Sequence, residues 1–192
     1  MNPFAFFLLG TFLLCASPSE ATERVSVCFN YGCISQAEVE FDDDQLEEIG
    51  RFFTQPTSPA EERQVIAAVV GNLLGWAGQQ SPIGADRGGN YADDAVYGRM
   101  DCIDHSTTTT RLLQLLEKRG WLRFHRILEP ALRMRFLLFQ HLSAQIEELS
   151  PAAGEEPPGK FVVDSWFFDN GHPAVVMPLE TWMAGEGPNV GE

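Results

Sequence analysis

The sequence predicts an α+β domain, and three observations carry that prediction. Apolar residues recur at helical spacing in the first half of the chain, as at Val65, Val69, Leu73 and Trp76. After Gly120 the texture changes to strand-like alternation and to β-branched and aromatic runs such as Lys160–Phe168. No internal repeat and no linker divides the chain, so the helices and strands belong to one unit.

The elements follow in chain order. Phe4–Cys15 (FAFFLLGTFLLC) is far shorter than the roughly 20 apolar residues of a spanning helix. It fits the ~7–15-residue apolar centre of a secretory signal. Ser19-Glu20-Ala21 places small residues at the −3 and −1 positions of a cleavage site after Ala21, although no Lys or Arg precedes the apolar run. A rival reading makes Cys15 a lipoprotein cysteine. Leu14 precedes it where lipoprotein signals carry Gly, Ala or Ser, so a cleavable signal peptide over residues 1–21 is the preferred reading.

Val25–Phe29 and Ala37–Phe41 read as two short strands. Asp42-Asp43-Asp44 offers N-caps to a helix from Gln45 to Phe53. Ser58-Pro59-Ala60-Glu61 starts a second helix, with a cap, a Pro at the first position and an acid behind it, running to about Trp76. Gly78–Tyr97 is a polar loop of a length that is usually functional or disordered. It leads into a helix over Cys102–Arg119, closed by Gly120. Gly120–Leu128 alternates as a strand. Phe136–Glu147 fits helix or strand and is taken as strand. Ser150–Gly159 is a turn, Lys160–Phe168 a strand, and Val175-Val176-Met177 a last short strand. One domain thus spans residues 22–184, with a frayed tail over 185–192.

Composition narrows the function classes. The net charge of −14 becomes −13 when Glu20 leaves with the signal. Such a chain has no electrostatic footprint for nucleic acid or anionic lipid. No second apolar run reaches spanning length, so no transmembrane segment is expected in the mature chain, which is predicted to be periplasmic or secreted. Export leads to an oxidising compartment. Cys28 and Cys33 flank the turn-like Phe29-Asn30-Tyr31-Gly32 and are the candidate disulfide, which leaves Cys102 over. An unpaired Cys in an exported chain is an intermolecular partner, a buried inert thiol or a reactive one.

A thiol hydrolase needs a Cys at a helix start or beside an imidazole, a base within hydrogen-bond reach and a third group that orients the base. Cys102 stands at the expected helix start, after the long loop. His141 and Asp164 lie on two expected strands, and the midpoint between them falls inside the turn Ser150–Gly159, so they can face one another across a hairpin. The assignment is Cys102 as nucleophile, His141 as base and Asp164 as the orienting residue. Candidates for a side chain at the oxyanion or substrate are Gln79, Gln80, Asn90 and Tyr97 in the upstream loop.

These residues resemble a known family. Met100-Asp101-Cys102-Ile103-Asp104 is similar to the nucleophile motif of the bacterial transglutaminase-like cysteine peptidases. Gln140-His141-Leu142 resembles their His strand, and Val162-Val163-Asp164-Ser165-Trp166 their Asp strand. The resemblance covers roughly residues 95–170. It implies a papain-like or transglutaminase-like fold, with helices packed on an antiparallel sheet. It also implies peptidase or amide or thioester hydrolase chemistry on a protein or peptide substrate. Adhesin-releasing members bind calcium through acids flanking the Cys. Here Asp101 precedes Cys102 but Ile103 follows it, so no cofactor is expected, with calcium as the alternative; Met100 stands where Gly is usual, so the turn entering the helix differs.

Other readings compete. His105, three residues beyond Cys102, could be a second base, a zinc ligand with Cys102, or a packing residue. The paired close spacings of strong zinc motifs are missing, so no metal is expected. His125 sits among arginines, and His172 follows the turn pair Asn170-Gly171. Trp166, Phe167 and Phe168 read as core. The alternative from a different class is a catalytically silent, secreted binding or accessory domain on the same fold.

Overall fold

The computed structural model describes residues 22–90, 93–135, 139–149 and 158–188. The expected signal with Cys15, most of the expected turn Ser150–Gly159 and residues 189–192 of the tail lie outside this description. Strands β1 (Glu23–Phe29) and β2 (Ser35–Phe41) pair antiparallel as a two-stranded ribbon. Helices α1 (Asp43–Phe52) and α2 (Pro59–Gln80) follow, then a 3-10 turn at Pro82–Ala85 and helix α3 (Cys102–Lys118). Strands β3 (His125–Arg135), β4 (Phe139–Glu148), β5 (Lys160–Asp164) and β6 (Val175–Pro178) form one antiparallel sheet in that order, and helix α4 (Leu179–Met183) ends the domain. The architecture is α+β, with helices packed against antiparallel sheets. Among the described residues no helix is long and apolar enough to cross a membrane.

Helices α1, α2 and α3 each start where side chains supply acceptors for orphan amides. Asp42 accepts from Gln45 N–H while the Gln45 side chain accepts from Asp42 N–H, a reciprocal cap. Ser58 caps α2 ahead of Pro59. Asp101 and Asp104 make the same reciprocal box at α3. Helix α3 is buried along Leu112, Leu113, Leu115 and Leu116, between the β1–β2 ribbon and the larger sheet. One core joins Val27, Val39 and Phe41 of the ribbon, Ile66, Val70 and Leu73 of α2, and Ala144, Ile146 and Val163 of the sheet. Side chains alternate across a strand, so the intervening residues face the other way. There Ala131, Val162 and Trp182 form a smaller cluster beneath α4.

Several boundaries differ from the sequence reading, each for a physical reason. Helix α2 continues past Trp76 through Gly78 to Gln80. Gly in a helix costs about 1 kcal/mol against Ala, but these glycines admit close backbone contacts. A Cβ on Gly71 would run into the His172 carbonyl, one on Gly75 would lie 3.0 Å from Gly171 Cα, and one on Gly78 would lie 3.2 Å from Gly84 Cα. Strand β3 starts later than Gly120, because the amides of Arg123 and Phe124 are taken by Glu62. It then runs past Pro130, whose missing N–H is absorbed by a register shift between Leu128 and Ala131. Strand β5 stops at Asp164, since Asp164 Oδ1 accepts from Trp166 N–H and turns the chain. Trp166–Phe168 are therefore a turn, with Trp166 and Phe167 buried and Phe168 more exposed.

Candidate functional site

Cys102 is the first residue of α3, directly after the N-cap Asp101. Asp101 Oδ1 accepts from Ile103 N–H at 3.0 Å and from Asp104 N–H at 2.9 Å. The Asp101 carbonyl takes His105 N–H at 3.0 Å. Among the described residues no acceptor is seen for the Cys102 N–H itself. Cys102 is unbridged and partly exposed, with Sγ 4.0 Å from the Gln140 carbonyl oxygen at the start of β4. Cys28 and Cys33 are joined, with their Cα atoms 4.7 Å apart.

The sheet supplies the other two groups. Ala144 pairs with Val163, so continuing the register sets Ser143 opposite Asp164. His141, two residues further along β4, shares that face and reaches Asp164 diagonally. His141 Nε2 lies 2.7 Å from Asp164 Oδ2, which leaves Nδ1 as the ring's other nitrogen, and Cys102 is near enough to help raise the ring's pKa. Asp164 is 1 % exposed, and a carboxylate so buried needs donors. It has three: His141 Nε2, the Trp182 indole Nε1–H at 2.9 Å and the Trp166 backbone N–H at 3.2 Å.

Aromatic rings enclose the imidazole. Trp166, Phe167 and Trp182 have centroids 5.1, 5.8 and 5.6 Å from that of His141. Burial pulls the His141 imidazole toward the neutral form. Hydrogen bonding and charge from Asp164, then from Cys102, outweigh it and push the ring up to about 9. His141 therefore carries a proton at neutral pH. Of the three residues singled out from the sequence, His141 and Asp164 are in hydrogen-bond contact, and Cys102 Sγ lies 4.0 Å from the carbonyl of Gln140, the neighbour of His141 on β4.

Trp182 was not foreseen. It sits on α4, a five-residue helix after Pro178 that is too short to show periodicity. The only sequence signal was a Trp close behind an expected strand. Trp166 and Phe167 are buried as expected of core residues, but what they pack on is the His141 ring.

The upstream candidates lie in other surroundings. Gln80 exchanges two hydrogen bonds with the Glu40 backbone on β2. Gln79 lines a cleft of about 280 Å³ with Arg87, Asp169 and His172. Asn90 Nδ2 donates to Asp93 Oδ2. Tyr97, largely exposed, sets its ring edge-to-face with Phe29 at 5.6 Å.

The remaining histidines have their own partners. His105 is buried, with Nε2 2.9 Å from Asp86 Oδ2 and Nδ1 2.9 Å from Ser165 Oγ. Both ring nitrogens are engaged, so it is a packing residue and not a ligand beside Cys102. His125 Nδ1 lies 2.8 Å from Glu62 Oε1, inside the domain. Burial pushes the Glu62 carboxyl up, but His125 and the amides of Arg123 and Phe124 hold it below the usual range. His172 is exposed. Among the described residues, Cys28, Cys33 and Asp104 bring metal-type ligand atoms within 4.8 Å of one another. The two sulfurs are bonded to each other, so the set does not fit a metal. Comparison of the chain with family models, with curated proteins and with solved structures finds no match, so its function is argued from the geometry.

Proposed function

We propose that this chain is an exported cysteine hydrolase of the transglutaminase-like or papain-like kind, acting on an amide or thioester bond of a protein or peptide. One observation carries the reading. A partly exposed thiol at the first position of a helix lies against the strand that carries an imidazole, whose Nε2 is 2.7 Å from a buried carboxylate. A thiol next to an imidazolium is the arrangement that favours the thiolate nucleophile.

In the reaction, Cys102 Sγ bonds to the substrate carbonyl carbon as the C=O π electrons move onto oxygen. The Cys102 N–H at the helix start, with no acceptor among the described residues, donates to that oxyanion. His141 then passes its proton to the leaving amine or thiol as the carbon–leaving-group bond breaks. Water attacks the resulting thioester, with His141 taking its proton and Cys102 leaving as thiolate. Asp164 holds the ring in one tautomer and orientation through Nε2, and the aromatic rings keep water from that bond. Calcium does not fit this site, because the carboxylates of Asp101 and Asp104 already serve backbone amides. The apolar stretch at Phe4–Cys15 and the Cys28–Cys33 disulfide support export.

The test is alkylation of the folded protein with iodoacetamide near pH 7. Rapid, single-site labelling of Cys102 that His141→Ala slows by at least about tenfold is expected, since a positioned imidazole contributes roughly 10²–10⁴-fold. Slow labelling, indifferent to His141→Ala, would make the chain a catalytically silent binding domain instead.

A further inference from the structure

Four successive residues, Asn30, Tyr31, Gly32 and Cys33, have φ of 64°, 65°, 65° and 56°. Three of them carry a Cβ, which makes left-handed backbone unfavourable for them. The turn is held by two things. The Cys28–Cys33 bond closes it. Its amides also find carboxylates: Tyr31 N–H donates to Asp104 Oδ2 at 2.8 Å, Cys33 N–H to Asp104 Oδ1 at 2.6 Å, and Gly32 N–H to Asp101 Oδ2 at 3.0 Å. Successive amides converging in this way make an anion-binding concavity. Here the chain supplies the anions itself.

Those two carboxylates belong to the N-cap and the third residue of α3, and Cys102 stands between them. Asp101 Oδ1 takes the amides of Ile103 and Asp104, and Asp104 Oδ2 also takes Asp101 N–H at 3.1 Å. The same two side chains thus build the helix start and grip the turn. Asn30 extends the grip to the segment entering the helix. Its N–H donates to the Arg99 carbonyl at 2.8 Å, and its Oδ1 accepts from Gly98 N–H at 2.9 Å. Asp104 is buried, so its negative charge depends on these donors.

We propose that the disulfide-closed turn of residues 28–33, acting through Asp101 and Asp104, is the positioning element of the Cys102 thiol. Opening the bridge lets the turn relax toward negative φ. Its amides then leave the carboxylates, the first turn of α3 frays, and Cys102 loses its fixed place beside His141. A displacement of about 1 Å in a reacting group can cost up to ~10²-fold in rate. The kinetic half of this proposal rests on Cys102 being the nucleophile, whereas the structural half does not.

The two halves have separate readouts. Amide hydrogen exchange of Ile103, Asp104 and His105 is measured in the wild type, in Cys28→Ser/Cys33→Ser and in Asp104→Asn, with the distal α3 amides of Leu112–Leu116 as reference. Local opening sets such rates. The expected result is exchange at least about tenfold faster at 103–105, with the reference little changed, and Cys102 alkylation at least about tenfold slower. Should the double serine variant not fold, Asp104→Asn carries the test, since it keeps the shape and withdraws one acceptor. Unchanged exchange at 103–105 in a folded variant overturns the positioning role. So does unchanged alkylation in a variant whose helix start has loosened. If wild-type alkylation is slow and indifferent to His141→Ala, the catalytic reading fails, and exchange alone decides whether the turn holds the helix.

Discussion

Asp164→Asn keeps the shape of the carboxylate and removes its charge, which isolates what that charge does to His141. Burial opposes the imidazolium, and Asp164 leads the groups that overcome it, raising the ring from 6.5 to about 9. That rise corresponds to roughly 3 kcal/mol of preference for the protonated ring. The folded-state value lies above the unfolded one. The matching stability is therefore fully present below pH 6.5 and is lost as the pH rises through about 9. For a domain of this size, about 3 kcal/mol is roughly 6–12 °C in Tm. Scanning calorimetry of wild type and Asp164→Asn at pH 6 and pH 10 is the assay. The variant also forfeits a hydrogen bond, because an amide cannot accept from Trp166 N–H, Trp182 Nε1–H and His141 together. That loss is the same at both pH values, so it cancels from the comparison. The wild-type advantage should be several degrees larger at pH 6 than at pH 10. Equal advantages at the two pH values would refute the reasoning, because the carboxylate would then carry no proton preference.

Trp182→Phe keeps an apolar ring but removes the indole donor from Asp164. Urea unfolding should show a loss of about 1–3 kcal/mol, the cost of a weakened buried polar group. Glu62→Ala strips His125 and two backbone amides of their buried acceptor and should cost about 3–5 kcal/mol by urea unfolding. Iodoacetamide labelling of Cys102 should be unchanged in the folded fraction of that variant. Because the Glu62 carboxyl is held below 4.5, its contribution is present above pH 4.5 and fades as the pH falls through its lowered value. Mass spectrometry of the protein recovered from the producing cell's envelope or medium should find Thr22 as its first residue. Intact Met1 on protein confined to the cytosol would sink the export reading.

The pairing of His141 with Asp164 was legible once the ambiguous segment Phe136–Glu147 was taken as strand, and Cys102 because it follows an evident helix cap. An Asp-capped helix start carries the thiol, and two adjacent antiparallel strands carry the other two. Parity did the rest. With Ala144 opposite Val163, His141 and Asp164 had to share a face. What stayed hidden depends on contacts between residues far apart in the chain. Asp101 and Asp104 read as ordinary helix-cap acids, and their hold on residues 31–33 shows only once the ribbon is folded against α3. His105 looked like a neighbour of Cys102 on the same helix, yet its partners are Asp86 and Ser165. The end of β5 was misplaced because an apolar aromatic run outweighed an Asp that bonds to the amide two residues on.

The contact between α2 and the chain before β6 has a consequence for mutational mapping. At Gly71 and Gly75 backbone meets backbone, with no side chain between to absorb an error. Alanine scanning is ordinarily a subtraction, and its results are read as what a side chain had contributed. On this seam the same substitution is an addition: the new methyl at Gly71 strikes the His172 carbonyl, and the loop must shift to admit it. That loop connects the turn holding Trp166 and Phe167 to β6. Damage at the ring of His141 can thus originate at two positions that have no side chain to lose.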